Sequence, residues 1–335
     1  MTRRQIVADA LNHKDTPVVP FSVGFTIPMR EKMIAYLRDP DFESKIKGCM
    51  HMWEYAGWPE EMPDRPGYFK DDFGVIFNRS GIDKDIGVLE NYVIPRPETA
   101  LIPEFWLDEE RLRANLQHCV DTAEDMFRVA GIGFSYFERA WTLTGFENAF
   151  GYMAEAPDFF TALLDRICEF NIRIIDIIAE YPFDAVLFGD DWGQQKGLLM
   201  GPPHWRKFFK PGLSRMYERA HSHNMFVLQH SCGDISSIYE DLIEIGLNCH
   251  QTFQPEIYDI EAVKSEFGSR LSFWGGISTQ RLLPFADAQE VRREIRHIMD
   301  VMSRGGGFIA APTHSVPFDV PPENIVAMLE VLQNQ

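Results

Sequence analysis

Short apolar segments alternate with segments of helical periodicity from about residue 108 onward, and this alternation constrains the fold more than any other feature. Strand-then-helix units favour a parallel sheet, because parallel strands must be joined by a crossover that a helix usually supplies. Eight strands are predicted, near residues 18, 75, 132, 184, 225, 247, 271 and 308. That count predicts an α/β fold of the (β/α)8 TIM barrel type. A doubly wound open sheet is the alternative, although no G-x-G-x-x-G motif follows an early strand to support it.

The N-terminal part of the chain interrupts this alternation. Residues 59–106 are rich in Pro, Gly and Asp and contain only short β-like segments, including the predicted second strand. We interpret them as a hairpin-bearing insertion in a single domain that spans residues 1–335. The insertion either contributes substrate contacts or covers an edge of the sheet, and the sequence leaves both open. Helices are predicted at residues 3–11, 29–37, 41–56, 108–130, 144–154, 158–180, 203–222, 235–245, 259–267, 287–303 and 322–333.

The charge of the chain restricts the classes of partner. Lys and Arg number 32 against 50 Asp and Glu, which gives a net charge of −18. Nucleic acids and anionic membranes are disfavoured, because binding to either requires positive charge. The sequence shows no signal-peptide pattern and no apolar run of ~20 residues, and its five cysteines are scattered. We therefore expect a protein of the reducing cytoplasm.

The ends of the predicted strands carry the candidate catalytic groups, since barrel enzymes react at the carboxyl ends of their strands. His230 and Cys232 follow the fifth predicted strand, and their i, i+2 spacing in extended chain directs both side chains to one face. Imidazole and thiolate together favour zinc. In a closed barrel His314 would join them, and three protein ligands with one open position are typical of catalytic zinc. His250 competes with His314 for the third position.

Other side chains at the strand ends are candidates for catalysis or substrate binding. Glu138, Asp191 and His250 are the predicted catalytic groups, and the predicted substrate contacts are Phe25, Trp141, Asp190, Trp192, Gln254 and Trp274. Each has a structural alternative. Asp190 and Asp191 could cap a helix, Glu138 could pair with Arg139, and Cys232 could be a buried structural thiol beside a hydrogen-bonded histidine.

Several motifs resemble the uroporphyrinogen decarboxylase superfamily over about residues 130–335. They are Gly189-Asp190-Asp191-Trp192-Gly193, Gly197-Leu198-Leu199-Met200, Phe208-Phe209-Lys210-Pro211, His230-Ser231-Cys232-Gly233, Phe273-Trp274-Gly275-Gly276-Ile277, Pro312-Thr313-His314 and Pro321-Pro322-Glu323-Asn324-Ile325. The resemblance implies a (β/α)8 barrel. It also implies one of two chemistries, either the cofactor-free decarboxylation of uroporphyrinogen or a zinc-dependent, corrinoid-linked methyl transfer.

The His-x-Cys motif resembles the methyltransferase branch, whose members bind zinc through it and a distant Cys. This sequence has His314 where those enzymes have the third ligand, and the decarboxylases have a His there too. Decarboxylases carry an R-Q-A-G-R stretch near the first strand, whereas residues 21–28 here contain no cation. Because binding a polycarboxylate requires arginine, this difference and the abundant aromatic residues favour a more apolar substrate.

The resemblance therefore implies a methyltransferase that moves a methyl group between a small methylated ether, amine or thiol and a corrinoid. His230, Cys232 and His314 would bind Zn²⁺, Glu138 or Asp191 would act as acid or base, and His250 would orient the substrate. The corrinoid would arrive on a partner protein, because the chain contains no D-x-H-x-x-G motif, and family likeness suggests a homodimer. A decarboxylase and a non-catalytic corrinoid- or tetrapyrrole-binding barrel are the alternatives.

Overall fold

A computed structural model describes residues 1–81 and 85–335 and shows one seven-stranded parallel sheet. Its strands, here called the first to the seventh, are Met50–Tyr55, Phe127–Ile132, Ala185–Gly189, Phe226–His230, Cys249–Phe253, Ser272–Ile277 and Phe308–Pro312. Their order in the sheet is their order in the chain, and every neighbouring pair is parallel. All seven carboxyl ends therefore lie along one edge, where the loops that follow them can meet.

Helices follow most strands as the alternation predicts, but the helix predicted at 108–130 ends at Thr122, and its last predicted residues belong to the second strand, Phe127–Ile132. They are Arg3–Leu11, Ile27–Leu37, Glu109–Thr122, Phe137–Thr144, Phe146–Glu155, Pro157–Ile178, Gly201–Phe208, Lys210–Ser222, Tyr239–Glu244, Ile260–Phe267, Leu282–Phe285, Ala288–Met302 and Pro322–Gln333. Short 3₁₀ turns occupy Phe42–Lys45, Thr99–Leu101 and Ser236–Ile238. The helix Ala288–Met302 illustrates why these segments are helical. Asp287 accepts hydrogen bonds from the amides of its first turn, and Val291, Ile295 and Met302 are buried along one face.

The sheet curls around a core of its own. Alternate residues of its strands meet in a buried cluster on the concave face, separate from the larger core between sheet and helices. Phe21 lies between the two edge strands. It forms a parallel bridge to Ala310 of the seventh strand, and its carbonyl accepts a hydrogen bond of 2.8 Å from the amide of Cys49, just before the first strand. The strand predicted at residues 17–23 is reduced to this bridge, since Pro17 and Pro20 have no N–H to donate.

Two predictions about the N-terminal part are wrong. The predicted helix at 41–56 contains only a 3₁₀ turn and then the first strand, Met50–Tyr55. The pattern misled because Met and Glu are strong helix formers, and because this strand exposes Met52 and Glu54 on the cavity side instead of alternating buried and polar residues. The second strand predicted near Val75 belongs to the insertion. There, Glu60–Glu61, Tyr68–Lys70, Ile76–Asn78 and Val88–Leu89 form a four-stranded antiparallel sheet.

A buried ion pair attaches the insertion to the rest of the chain. Arg139, in the helix Phe137–Thr144, donates to the carboxylate of Asp71 at 2.7 Å, and both side chains are almost completely buried. The guanidinium also lies 3.7 Å from the centre of the Phe73 ring. The suggested pair of Glu138 with Arg139 is therefore wrong, because Asp71 is the partner of this arginine.

Among the described residues, no helix combines the length and the apolar character that crossing a bilayer requires.

Candidate active site

The loop after the fourth strand carries the His-x-Cys motif. The strand ends at His230, and Cys232 lies in the turn that follows. Gly233 closes this turn with φ +78°, and a Cβ atom there would overlap the backbone of Gly193 and Gln194. The turn therefore requires glycine at this position, because only glycine tolerates both the conformation and the close approach. Its packing against the loop after the third strand brings Cys232 next to Asp191.

Asp191, His230 and Cys232 form a compact group of possible metal ligands, with one donor atom of each within 4.8 Å of the others. The Nε2 atom of His230 lies 3.3 Å from the Oδ1 atom of Asp191 and 3.7 Å from the Sγ atom of Cys232. Donors in a tetrahedral zinc site lie ~3.3–3.8 Å apart, given the usual bond lengths. The imidazole, thiolate and carboxylate present here thus fit Zn²⁺ in both type and spacing.

Gln251, on the fifth strand, fixes the orientation of His230. The Nδ1 atom of His230 donates to the Oε1 atom of Gln251, and this contact fixes the ring with its Nε2 atom directed at Asp191 and Cys232. Gln251 was not predicted from the sequence. Its position in the strand after the motif, three residues before the predicted Gln254, was the available signal.

The contacts within the donor group shift the pKa values of its members. Burial opposes ionisation of Asp191, but hydrogen bonds from His230 and from the amide of Cys232 lower the pKa of its carboxyl to about 2. Burial likewise disfavours protonated His230, and its contacts with Asp191 and Cys232 nevertheless raise its pKa well above 6.5. The carboxylate of Asp191 and the imidazole of His230 therefore favour each other's charged forms.

Asp190 has a structural role. Its carboxylate accepts hydrogen bonds from the amides of Phe137 and Glu138, at 3.0 and 2.7 Å, and from the indole of Trp192. It thereby caps the helix Phe137–Thr144, the alternative that the sequence left open. Trp192 packs against Trp205 with ring centroids 5.5 Å apart. Asp190 and Trp192, both predicted substrate contacts, are completely buried and lie outside the cavity lining described below.

Two adjoining cavities open at the edge where the strands end, and they share the wall formed by Met52, His230, Gln251 and His314. The smaller, about 380 Å³, we call the methionine lobe; its lining includes Met50, Met126 and the predicted contacts Phe25 and Trp274. The larger, about 550 Å³, we call the hairpin lobe; its lining includes Phe77 and Arg79 of the insertion with Phe134, Glu54, Glu138 and Asp191. The donor group thus lies where the two lobes meet.

Two further carboxyl groups, those of Glu138 and Glu54, line the hairpin lobe beside the donor group. Burial raises the pKa of Glu138 well above 4.5, and the nearby carboxylates of Asp191 and Asp190 raise it further. Glu54, on the first strand, was missed because that strand was predicted as helix; it faces the cavity, and desolvation within the lobe raises its pKa too. A carboxyl group that holds its proton more tightly than usual can donate it within the lobe.

His314 faces the donor group across the cavity without being part of it. Its ring centroid lies 6.3 Å from that of His230, with the ring planes at 78°. Two imidazoles on one zinc ion would have centroids ~5 Å apart, given the usual bond lengths. His314 must therefore approach His230 to share an ion with it, and its role as a ligand stays a prediction.

The remaining predicted residues support the site from outside the cavity. His250 is buried and neutral: burial lowers its pKa to about 4, its Nδ1 contacts the hydroxyl of Tyr239, and its Nε2 donates to the carbonyl of Ser231. Gln254 accepts a hydrogen bond of 2.7 Å from the amide of Gly233. Both hold the turn that carries Cys232. Trp141 packs against Phe134, with ring centroids 6.3 Å apart.

Comparisons with known proteins agree with this fold. A family model described as uroporphyrinogen decarboxylase matches residues 107–335. The solved structure of a methyltransferase from Methanosarcina mazei is similar over 100% of this chain and 99% of its own, with a TM-score of 0.70 and 16% identity.

Two curated proteins are similar in sequence. A methylcobamide:CoM methyltransferase of Methanosarcina barkeri is 26% identical over 51% of this chain and 48% of its own length. A uroporphyrinogen decarboxylase of Geobacter sulfurreducens is 20% identical over 53% of this chain and 50% of its own length. The chain thus spans about half the length of these relatives.

Proposed function

This chain belongs to the uroporphyrinogen decarboxylase family, and from that premise we propose that it is a zinc-dependent methyltransferase that moves a methyl group between a small methylated substrate and a corrinoid. The observation that carries the proposal is the donor group of Asp191, His230 and Cys232 at the meeting point of the two lobes. The similarity to the methylcobamide:CoM methyltransferase supports this branch of the family.

The curled sheet supports a closed (β/α)8 barrel formed by a single domain of residues 1–335. Phe21 hydrogen-bonds toward both edge strands, so its segment takes the place of the missing eighth strand. Closure would place the loop after the seventh strand, with His314, opposite the loop after the fourth strand, with His230 and Cys232.

His230, Cys232 and Asp191 would hold the zinc ion, with His314 as a predicted further ligand. Zinc bound there would supply a Lewis acid for the heteroatom that loses or receives the methyl group. Gln251, as the acceptor for the Nδ1 atom of His230, would leave the Nε2 atom as the one that binds zinc. The amide of Cys232 orients Asp191, with an N···O distance of 2.7 Å.

Glu138 is the proposed proton donor. It lines the same lobe as Asp191 and His230, and burial favours its protonated form. A heteroatom that gives up a methyl cation keeps the bonding electron pair and must take up a proton, which Glu138 can provide. The aromatic and thioether side chains that line the two lobes would provide apolar contacts for the methyl group.

The corrinoid would arrive on a partner protein and reach the donor group through the open ends of the lobes. A decarboxylase is the second candidate, supported by the similarity to the Geobacter sulfurreducens enzyme. It is the weaker one, because Asp190, a carboxyl group at a strand end, is buried and engaged in capping a helix and does not reach the cavity.

Zinc content combined with methyl transfer tests the proposal. Protein purified without chelator should hold about one zinc ion per chain and lose it on Cys232→Ser. It should also methylate Co(I) cobalamin from at least one ether, amine or thioether, which visible spectroscopy detects. Absence of zinc would favour the decarboxylase, and zinc without methyl transfer would favour the binding role.

A further inference from the structure

Arg79 brings a positive charge into the proposed active site from an element outside the parallel sheet. It follows the strand Ile76–Asn78 of the insertion and lines the hairpin lobe beside Phe77. Among the described residues, it is the only lysine or arginine that lines either lobe. Its place in the cavity lining was not predicted from the sequence, because the insertion that carries it has no regular pattern.

The protein holds the Arg79 side chain in a defined position. Its Nε atom donates to the carbonyl of Ile86 at 3.2 Å, and its guanidinium lies 4.7 Å from the centre of the Phe69 ring. The aliphatic part of the side chain passes over Gly87, where a Cβ atom would meet the Cγ atom of Arg79 at 2.8 Å. These contacts restrict the side chain before any ligand binds, which lowers the entropic cost of binding.

The two terminal nitrogens of Arg79 have no carboxylate partner among the described residues. By contrast, Arg111 and Arg139, which contact the insertion from neighbouring helices, are ion-paired with Glu60 and Asp71. The carboxyl groups that line the lobe are Glu54, Asp85, Glu138 and Asp191, and the last of these is bound to His230. A half-buried guanidinium fork without a partner is suited to a planar anion.

We propose that Arg79 binds a carboxylate on the methylated substrate, which then lies across the hairpin lobe with its methyl-bearing heteroatom at Asp191 and His230. Phe77 and Phe134 line the same lobe with ring centroids 6.0 Å apart, and they would provide an apolar surface for the body of the molecule. This inference rests on the proposed function and specifies its substrate class: a small methylated acid replaces the more apolar substrate that the sequence favoured.

Three probes of similar shape and different charge test this. They are meta-methoxybenzoate, the uncharged meta-methoxybenzamide and the cationic meta-methoxybenzamidine, each titrated calorimetrically into the zinc-loaded protein. The wild type should bind the benzoate about tenfold or more tightly than the amide, since hydrogen bonds to charged groups are the stronger ones. Arg79→Gln should remove that preference, and Arg79→Lys should retain part of it.

Arg65→Gln is the matched control, because Arg65 is in the same insertion and also packs on an aromatic ring, that of Tyr68, but lies outside the cavity lining. It should leave all three affinities unchanged. Equal affinity for benzoate and amide, tightest binding of the amidine, failure of the wild type to bind the benzoate, or an equal loss for all probes in Arg79→Gln would each overturn the proposal. Zinc content and cobalamin methylation from neutral donors do not depend on Arg79, so the proposed function can fail or stand separately.

Discussion

The side chain of Gln251 acts on the donor group through one hydrogen bond, which its Oε1 atom accepts from the Nδ1 atom of His230. Gln251→Leu removes the acceptor and frees the ring to change tautomer, so we expect zinc affinity to fall roughly 10- to 100-fold. Gln251→Glu keeps an acceptor at this position and should lose much less. Competition with a chromophoric chelator measures both variants. Equal losses in the two would mean that Gln251 only fills space.

Asp191 and His314 differ in how well they are placed to bind the zinc ion. The Oδ1 atom of Asp191 lies 3.3 Å from the Nε2 atom of His230, whereas the His314 ring is more distant, with its centroid 6.3 Å from that of His230. Asp191→Asn should therefore weaken zinc binding at least ~10-fold, and His314→Gln should weaken it less. The reverse order in equilibrium dialysis would make His314 the third ligand, as the sequence alone predicted.

Single residues also show how far the sequence could identify the site. His230 and Cys232 can be identified from the sequence, because imidazole and thiolate two positions apart have few common roles. Glu54 and Gln251 cannot be identified in this way. A polar residue in a strand faces either solvent or the cavity, and only the three-dimensional arrangement of the strands decides which.

At the level of elements, the buried pair of Arg139 and Asp71 fixes the insertion against the helix that carries Glu138. Arg139→Met leaves Asp71 buried without a partner and should lower the free energy of unfolding by ~3–5 kcal/mol. The double variant Arg139→Met, Asp71→Leu removes both charges and should recover much of that loss. Urea unfolding of the four proteins of this cycle gives the coupling. Additive losses would mean that the pair does not attach the insertion.

The predicted elements after residue 158 agree with the structure because each helix buries one face and each strand is a short apolar run. The helix Pro157–Ile178 and the strand Phe308–Pro312 lie within a few residues of their predictions. The prediction of the first strand failed for a physical reason. This strand lines the cavity, so its cavity-facing residues are not the apolar ones of a buried strand, and the expected periodicity is lost.

On the scale of the whole molecule, the proposed barrel depends on one short segment that joins the two edges of the sheet. The amide of Ser22 donates to the carbonyl of Ala310 at 3.1 Å, and its hydroxyl accepts from the indole of Trp274 at 2.9 Å. Ser22→Pro removes the amide donor and leaves a carbonyl of the seventh strand unsatisfied, whereas Ser22→Ala removes only the hydroxyl.

If closure at Phe21 holds the two edges together, Ser22→Pro should lower the free energy of unfolding by ~1–3 kcal/mol more than Ser22→Ala does. Hydrogen exchange followed by mass spectrometry should show faster exchange in both edge strands, Met50–Tyr55 and Phe308–Pro312, because each loses protection when the ring opens. The fourth strand, opposite the closure, should be unchanged. Equal stability of the two variants, with exchange altered only near Ser22, would show that this segment does not hold the two edge strands together. His314 would then lack the constraint that holds it facing His230.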